Sequence, residues 1–189
     1  MKRFVACLLG LALLTGCAQT PELPLPPRDS LQGFVLEGRF ALKLTQSDGR
    51  SESGSGRLSW THTDHSDRVL IANPLGAGLA EIDSIPGRAT LRTSDQQTHV
   101  ADEPDRLLAE LTGYPLPISR LPGWLLGRPG VSGSLERDAL NRPLRLREDG
   151  WLIEYVYAND NPDALPQQLR ASGNNIDLRL RLEDWKPLP

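Results

Sequence analysis

Polar and apolar residues alternate along most of this chain. In FVLEGRFALKLTQ, Phe34, Leu36, Phe40, Leu42 and Leu44 fall on one side of an extended backbone, and Glu37, Arg39 and Lys43 fall on the other. That is the pattern of a strand wet on one face only. WLIEYVY repeats it with Trp151, Ile153, Tyr155 and Tyr157 in phase. IDLRLRLEDW sets Ile176, Leu178, Leu180 and Leu182 opposite Asp177, Arg179, Arg181 and Glu183. Weaker strand patterns span 56–61, 68–72, 79–83, 88–93 and 144–148, separated by Gly, Asp and Asn turns, with SESGSG read as a small turn of its own. One-faced strands joined by short connections predict an antiparallel sheet.

Two segments break the period of two. DEPDRLLAELTG predicts a short amphipathic helix with Asp102 as its cap, Pro104 in the first turn, Leu107, Leu108 and Leu111 on one face, and Gly113 as the stop. ISRLPGWLLG follows with Ile118, Leu121, Trp124 and Leu125 at helical spacing, Pro122 early enough to be tolerated, and Gly127 at its end. The expected architecture is mainly β with short helices, a long curved sheet whose apolar face the helices cover, because a one-faced sheet needs a lid or a second layer.

The first 29 residues have a different character. Lys2 and Arg3 precede the apolar run Phe4 to Leu14, which is far short of the roughly 20 residues a membrane-spanning helix needs and has the form of an export signal. Its end, Leu14-Thr15-Gly16-Cys17, resembles the bacterial lipoprotein box, which implies cleavage after Gly16 and acylation of Cys17. Three acyl chains at about 0.8 kcal/mol per buried methylene form a lasting anchor. Ala18 follows the cysteine instead of the Asp that serves many lipoproteins as an inner-membrane retention signal, which implies the outer membrane. Thr20 to Pro27 is proline-rich and reads as a stiff extended tether. The expected organisation is a signal peptide over 1–16, a lipidated cysteine and tether over 17–29, and one domain over 30–189.

Charge narrows the partners. The 189-residue chain holds 21 Lys and Arg against 24 Asp and Glu, and losing Lys2 and Arg3 with the signal leaves 19 against 24, a formal charge of -5. No basic block remains, so nucleic acid is not expected as a partner, and bulk charge would not hold the body to anionic lipid. Cys7 would leave with the signal, so no disulfide is expected in the mature body.

Candidate chemistry is sparse. The chain has no G-x-S-x-G, H-E-x-x-H, C-x-x-C or phosphate loop, and GAGLAE lacks the third glycine of a dinucleotide fingerprint. His62 and His65 in THTDHSD lack a third clustered ligand, which favours a solvated turn over a metal site, and His99 reads as a surface strand residue. No enzyme activity, metal or cofactor is expected. IANPLGAGLAEI is less ordinary. Its Pro-Leu-Gly turn puts Leu75 at a hairpin tip, either folded back into the core or exposed to meet a membrane.

The chain as a whole resembles the LolB family, outer-membrane receptors of the lipoprotein localisation pathway. The resemblance is carried by FVLEGRFAL, GRLSW, NPLGAGLAEI, LLAELTGYPLPISRLPGWLLGRPG, DGWLIEYVYA, ALPQQLRA and IDLRLRLEDW, in order over nearly the whole mature chain. The tether departs from the family in being shorter and richer in proline. The resemblance implies an unclosed antiparallel β-barrel (LolA/LolB-like) with a helical lid over an apolar cavity. It also implies a monomer that accepts acylated lipoproteins from the soluble carrier LolA and inserts them into the outer membrane without ATP. Leu75 matches the leucine that the family projects on a loop for membrane insertion. Trp60, Trp124 and Trp151 fall at family tryptophan positions, and with Phe40, Leu58, Leu121, Leu125 and Tyr155 they are the candidates for cavity wall or lid. Alternation alone does not separate cavity wall from sealed core. The rival readings are a lipoprotein that handles free lipid or glycolipid on a similar sheet, and a structural lipoprotein without a cavity.

Overall fold

The computed structural model describes residues 26–188, so Cys17 and the signal lie outside the described residues. Among the described residues, eleven strands form a single sheet: β1 (Gly33–Thr45), β2 (Ser51–Thr63), β3 (Ser66–Ala72), β4 (Gly78–Ile85), β5 (Arg88–Thr93), β6 (Thr98–Ala101), β7 (Ser134–Arg137), β8 (Pro143–Glu148), β9 (Trp151–Val156), β10 (Gln168–Gly173) and β11 (Ile176–Leu188). Their spatial order is β6-β5-β4-β3-β2-β1-β11-β10-β9-β8-β7, and every pairing is antiparallel. The edges, β6 and β7, do not pair with each other, so the barrel is unclosed. Helices α1 (Pro104–Thr112) and α2 (Leu121–Leu125) lie between β6 and β7 in the chain and cover the concave face.

The strongly alternating stretches form the long central strands β1 and β11 and the shorter β9. Phe34 and Leu36 of β1, Leu58 and Trp60 of β2, Trp151, Ile153 and Tyr155 of β9, and Ile176, Leu178, Leu180 and Leu182 of β11 are all buried in one core. Opposite them the convex face carries ion pairs, such as Arg68 with Asp83 at 2.6 Å and Arg39 with Glu183 at 3.0 Å. β1 and β11 keep a regular ladder except at a bulge, where Glu37 faces Asp184 and Gly38 faces Leu182, leaving Glu183 as the extra residue.

Several expectations are corrected. SESGSG is not a turn. It is the first half of β2, held by its ladder to β1 with Gly54 facing Leu42 and Gly56 facing Phe40, and the turn lies earlier, where Gln46 and Arg50 bond through N–H and carbonyl at 2.7 Å. Strands β6, β7 and β10 are additions to the alternation pattern. The N-cap of α1 is Glu103, not Asp102, and it makes no side-chain cap bond; Asp102 accepts from Arg106 at 2.8 Å instead of capping the helix. Leu107 and Leu108 are buried beneath α1, but Leu111 is exposed on its outer side. His62 is not part of a solvated turn. Its Nδ1 lies 2.7 Å from Asp67, which also accepts from Trp60 Nε1 at 2.7 Å, and its ring packs on Phe34. His65 is exposed and apart from it, and among the described residues no group of three or more metal-ligating side chains converges.

On the convex face Asp177 accepts from Arg170 and from Arg179 Nε at 3.1 Å. The Arg170 hydrogen bond, opposed by partial burial and reinforced by Arg179, holds its carboxyl below the usual range. The folded state therefore gains from ionised Asp177 above about pH 4, the ordinary carboxylate value, and loses that gain as pH falls below it. Asp177→Asn should lower stability at neutral pH and flatten the decline in denaturation midpoint between about pH 4 and pH 2, as measured by urea titrations.

Candidate functional site

Beneath the lid the two halves of the sheet differ. On the side of β1 to β4, an apolar cavity of about 230 Å³ lies between the inner sheet face and the lid. Phe40 and Leu42 of β1, Leu58 and Trp60 of β2, Val69 and Ile71 of β3, Ile82 of β4, and Leu178 and Leu180 of β11 form its floor. Leu108, Thr112, Leu116, Ile118 and Leu121 form its roof. The strands supply these walls because every second residue faces inward. Gly56 makes room for Phe40: a Cβ there would meet the ring at 2.9 Å and the Ala72 carbonyl closer still. Thr112, the one polar residue of the lining, turns its hydroxyl onto the Leu108 carbonyl at 2.7 Å. A surface without directional groups binds apolar matter through burial alone, at about 25 cal/mol per Å², and does not select among acyl chains.

On the side of β8 and β9 the lid is fastened. The buried carboxylate of Glu148 accepts from Trp124 Nε1 and from the Gly130 amide, each at 3.0 Å, and Arg120 approaches it at 3.4 Å. Tyr155 donates its hydroxyl proton to the Trp124 carbonyl at 2.8 Å, burial raises the phenol's pKa well above its ordinary value, and Trp151 packs its ring 5.6 Å from that of Trp124. Of the candidate residues, then, Phe40, Leu58, Trp60 and Leu121 line the cavity, while Trp124 and Leu125 belong to the lid helix α2 and pack with Trp151 and Tyr155 in the core beside it. Sequence reasoning missed Glu148. In REDG it passes for a surface acid, and the available signal was its phase: it sits two residues after the buried Leu146 and so faces inward.

α1 is tied to the start of α2 by Asp105, which accepts from the Ser119 amide at 2.8 Å and from its hydroxyl at 2.6 Å. Among the described residues no hydrogen bond joins α1 to the strands of the cavity wall. One flank of the lid is thus held by hydrogen bonds, and the other rests on apolar contact.

Leu75 is 95% exposed at the tip of the loop between β3 and β4. The loop is a self-contained structure. The Asn73 side-chain oxygen accepts from the amides of Leu75 at 2.9 Å and Ala77 at 3.0 Å, and the Gly76 amide closes a turn on the Asn73 carbonyl at 2.9 Å. Gly76 has φ +94, a conformation that favours glycine. Pro74 fixes a further dihedral. The leucine is held away from the core by a tip with little freedom to fold back.

Fold and site together define a lidded half-barrel built around an apolar cavity. A LolA superfamily protein from Nitrosomonas europaea has a similar fold, with a TM-score of 0.50 at 12% identity over 85% of this chain and 88% of that one. The chain belongs to the LolB family: the family model for outer membrane lipoprotein LolB matches residues 32–185. It is 45% identical to the outer-membrane lipoprotein LolB of Dechloromonas aromatica over the full length of both chains. It is 36% identical to that of Bordetella petrii over 89% of this chain and 86% of the relative, and 32% identical to that of Pseudomonas aeruginosa over 94% and 93%.

Glu148→Ala leaves the Trp124 indole and the Gly130 amide without their acceptor. It should destabilise the protein by about 3 kcal/mol, read by chemical denaturation, and shift tryptophan emission to the red as the fastened flank of the lid loosens.

Proposed function

We propose that this protein is an outer-membrane-anchored receptor that takes acylated lipoproteins from a LolA-type periplasmic carrier and delivers them to the inner leaflet of the outer membrane. The observation that carries the reading is the pairing of a non-selective apolar cavity under a half-fastened lid with a leucine fixed in the open on a rigid loop. Its family relatives bear the name outer-membrane lipoprotein, in keeping with removal of residues 1–16, acylation of Cys17 and a tether that ends at Pro27, where the body begins with the buried Arg28 instead of at residue 30. The body acts as a monomer and performs no chemistry on its cargo.

Magnitudes favour this division of labour. Three acyl chains in water are unfavourable by tens of kcal/mol at about 0.8 per methylene, so cargo must stay covered while it crosses the aqueous gap. The cavity of about 230 Å³ is below the roughly 300–1,000 Å³ of ordinary ligand sites. Cargo therefore enters by displacing the lid, and the flank without hydrogen bonds to the wall is the one that yields. Transfer needs no ATP when affinity rises from carrier to receptor to bilayer. Leu75 contributes about 1.5–3 kcal/mol on burial, too little for an anchor and enough for a local wedge where cargo leaves.

With cargo loaded on its soluble carrier and liposomes as acceptor, the protein should promote appearance of cargo in the liposomes. Leu75→Glu should keep its melting temperature and cargo uptake while release slows at least tenfold. Cargo that stays on the carrier while the protein still takes up an acyl probe would move the function to another lipid. Ile71→Trp, which fills the cavity from its half-buried wall, should weaken binding of a fluorescent fatty acid about tenfold with the fold retained, as judged by circular dichroism.

A further inference from the structure

Among the described residues the two most exposed large apolar side chains are Val131 (109%) and Leu75 (95%), and only Leu75 has a place in the reading above. Alternating strand directions put both at one end of the sheet. Counting across β3-β2-β1-β11-β10-β9-β8-β7, the end at which β3 terminates is the end at which β7 begins. The loop after β3 carries Leu75, and the loop before β7 carries Val131. One lies toward each flank of the half-barrel, so the curvature of the sheet gives its rim two separated apolar points.

The Val131 loop is as firmly built as the Leu75 loop. On one side of Val131 the Gly130 amide donates to buried Glu148 at 3.0 Å. On the other, Ser132 Oγ donates to Asp149 at 2.7 Å, and the Gly133 amide closes on the Gly130 carbonyl at 3.0 Å. Arg128, at the start of the loop, donates to the carbonyls of Arg28, Asp29 and Leu31 at 2.7–3.1 Å. A valine held outward by bonds on both of its neighbours is not a side chain left over from core packing.

We propose that Val131 is a second bilayer contact, and that the rim bearing Leu75 and Val131 meets the outer membrane at two points. The inference rests on the receptor reading above. The turns at this end of the sheet carry Asp48, Asp95 and Asp149, with Asp48 paired to Arg50 at 2.6 Å and Asp149 lying 4.0 Å from Arg120. Such a rim is not drawn to an anionic surface, so its partner is the apolar boundary of a neutral phospholipid bilayer, and binding is insensitive to salt. Two contacts fix an orientation that one cannot: a single point lets the tethered body swing, whereas two hold the lidded face at a set angle to the leaflet.

The test uses the full lipidated chain in vesicles of phosphatidylcholine and phosphatidylethanolamine, with no other protein. An environment-sensitive fluorophore is placed in turn at Val131→Cys, Leu75→Cys and Asp163→Cys, the last in the connection between β9 and β10 at the opposite end of the sheet. Nitroxides on the lipid acyl chains should quench the labels at 131 and 75 and leave that at 163 untouched, equally at low and high salt. Val131→Asp, with an unchanged melting temperature and acyl-probe affinity, should slow cargo release about fivefold, and Val131→Leu should restore it. A label at 131 that stays in water while that at 75 is quenched overturns the second contact and leaves the receptor reading standing. Unquenched labels at both positions overturn both bilayer contacts. Release by Val131→Asp at the unaltered rate also overturns the inference.

Discussion

Everything in this fold depends on one ladder, the pairing of β1 with β11. It joins Gly33 to Leu188 and runs thirteen residues on each strand. On one side of it lie the five strands that follow β1 in the chain, and on the other the four that precede β11. The two halves meet only at this seam within the sheet, and the inner faces of its two strands supply both core and cavity floor. The local hairpins could form separately, but the curved surface that the lid covers exists only once residues from opposite ends of the body have paired.

The halves put the same material to different uses. Around β8 and β9, polar groups tie the lid to the interior: Glu148 accepts from the Trp124 indole, and Tyr155 donates to the Trp124 carbonyl, which leaves α2 fixed. Around β1 to β4 nothing polar reaches the cavity except a threonine whose hydroxyl is already bonded to its own helix. Buried hydrogen bonds lose their worth when a partner moves away, whereas apolar contact can be exchanged for apolar contact at little net change. The lid therefore combines a fixed margin with an exchangeable one, which suits a site whose occupant differs from one cargo to the next.

The alternation of Phe34 to Leu44, Trp151 to Tyr155 and Ile176 to Leu182 made the long strands and their inward face legible in the sequence, since burial on one side leaves a period of two that no local effect imitates. Thr98–Ala101 was legible only through His99 as a surface strand residue, and Ser134–Arg137 and Gln168–Gly173 were not legible, because the first is four residues long and the second offers only Leu169 and Ala171 to the interior, so each owes its extended state to a neighbouring strand. The Ser- and Gly-rich start of β2 misled for the same reason: its composition speaks for a turn, and pairing with β1 overrides it. Within the site, Leu75 was recognisable as the tip of a Pro-Leu-Gly loop, while the bonds from Asn73 that decide its exposure appear only in three dimensions. Phe40 and Trp151 look alike on a helical or extended projection. What separates them is which flank of the lid is fastened, and that turns on the one acid, Glu148, whose inward phase runs against its chemistry.

The central seam also sets when the protein can exist. Its second strand is β11, so for any route on which the chain travels from its first residue to its last, no closed core forms until residues 176–188 have arrived. Until then the earlier strands lack the central partner that completes the sheet. The pairing that gives the body its shape is thus also among the last that the order of the chain allows to form.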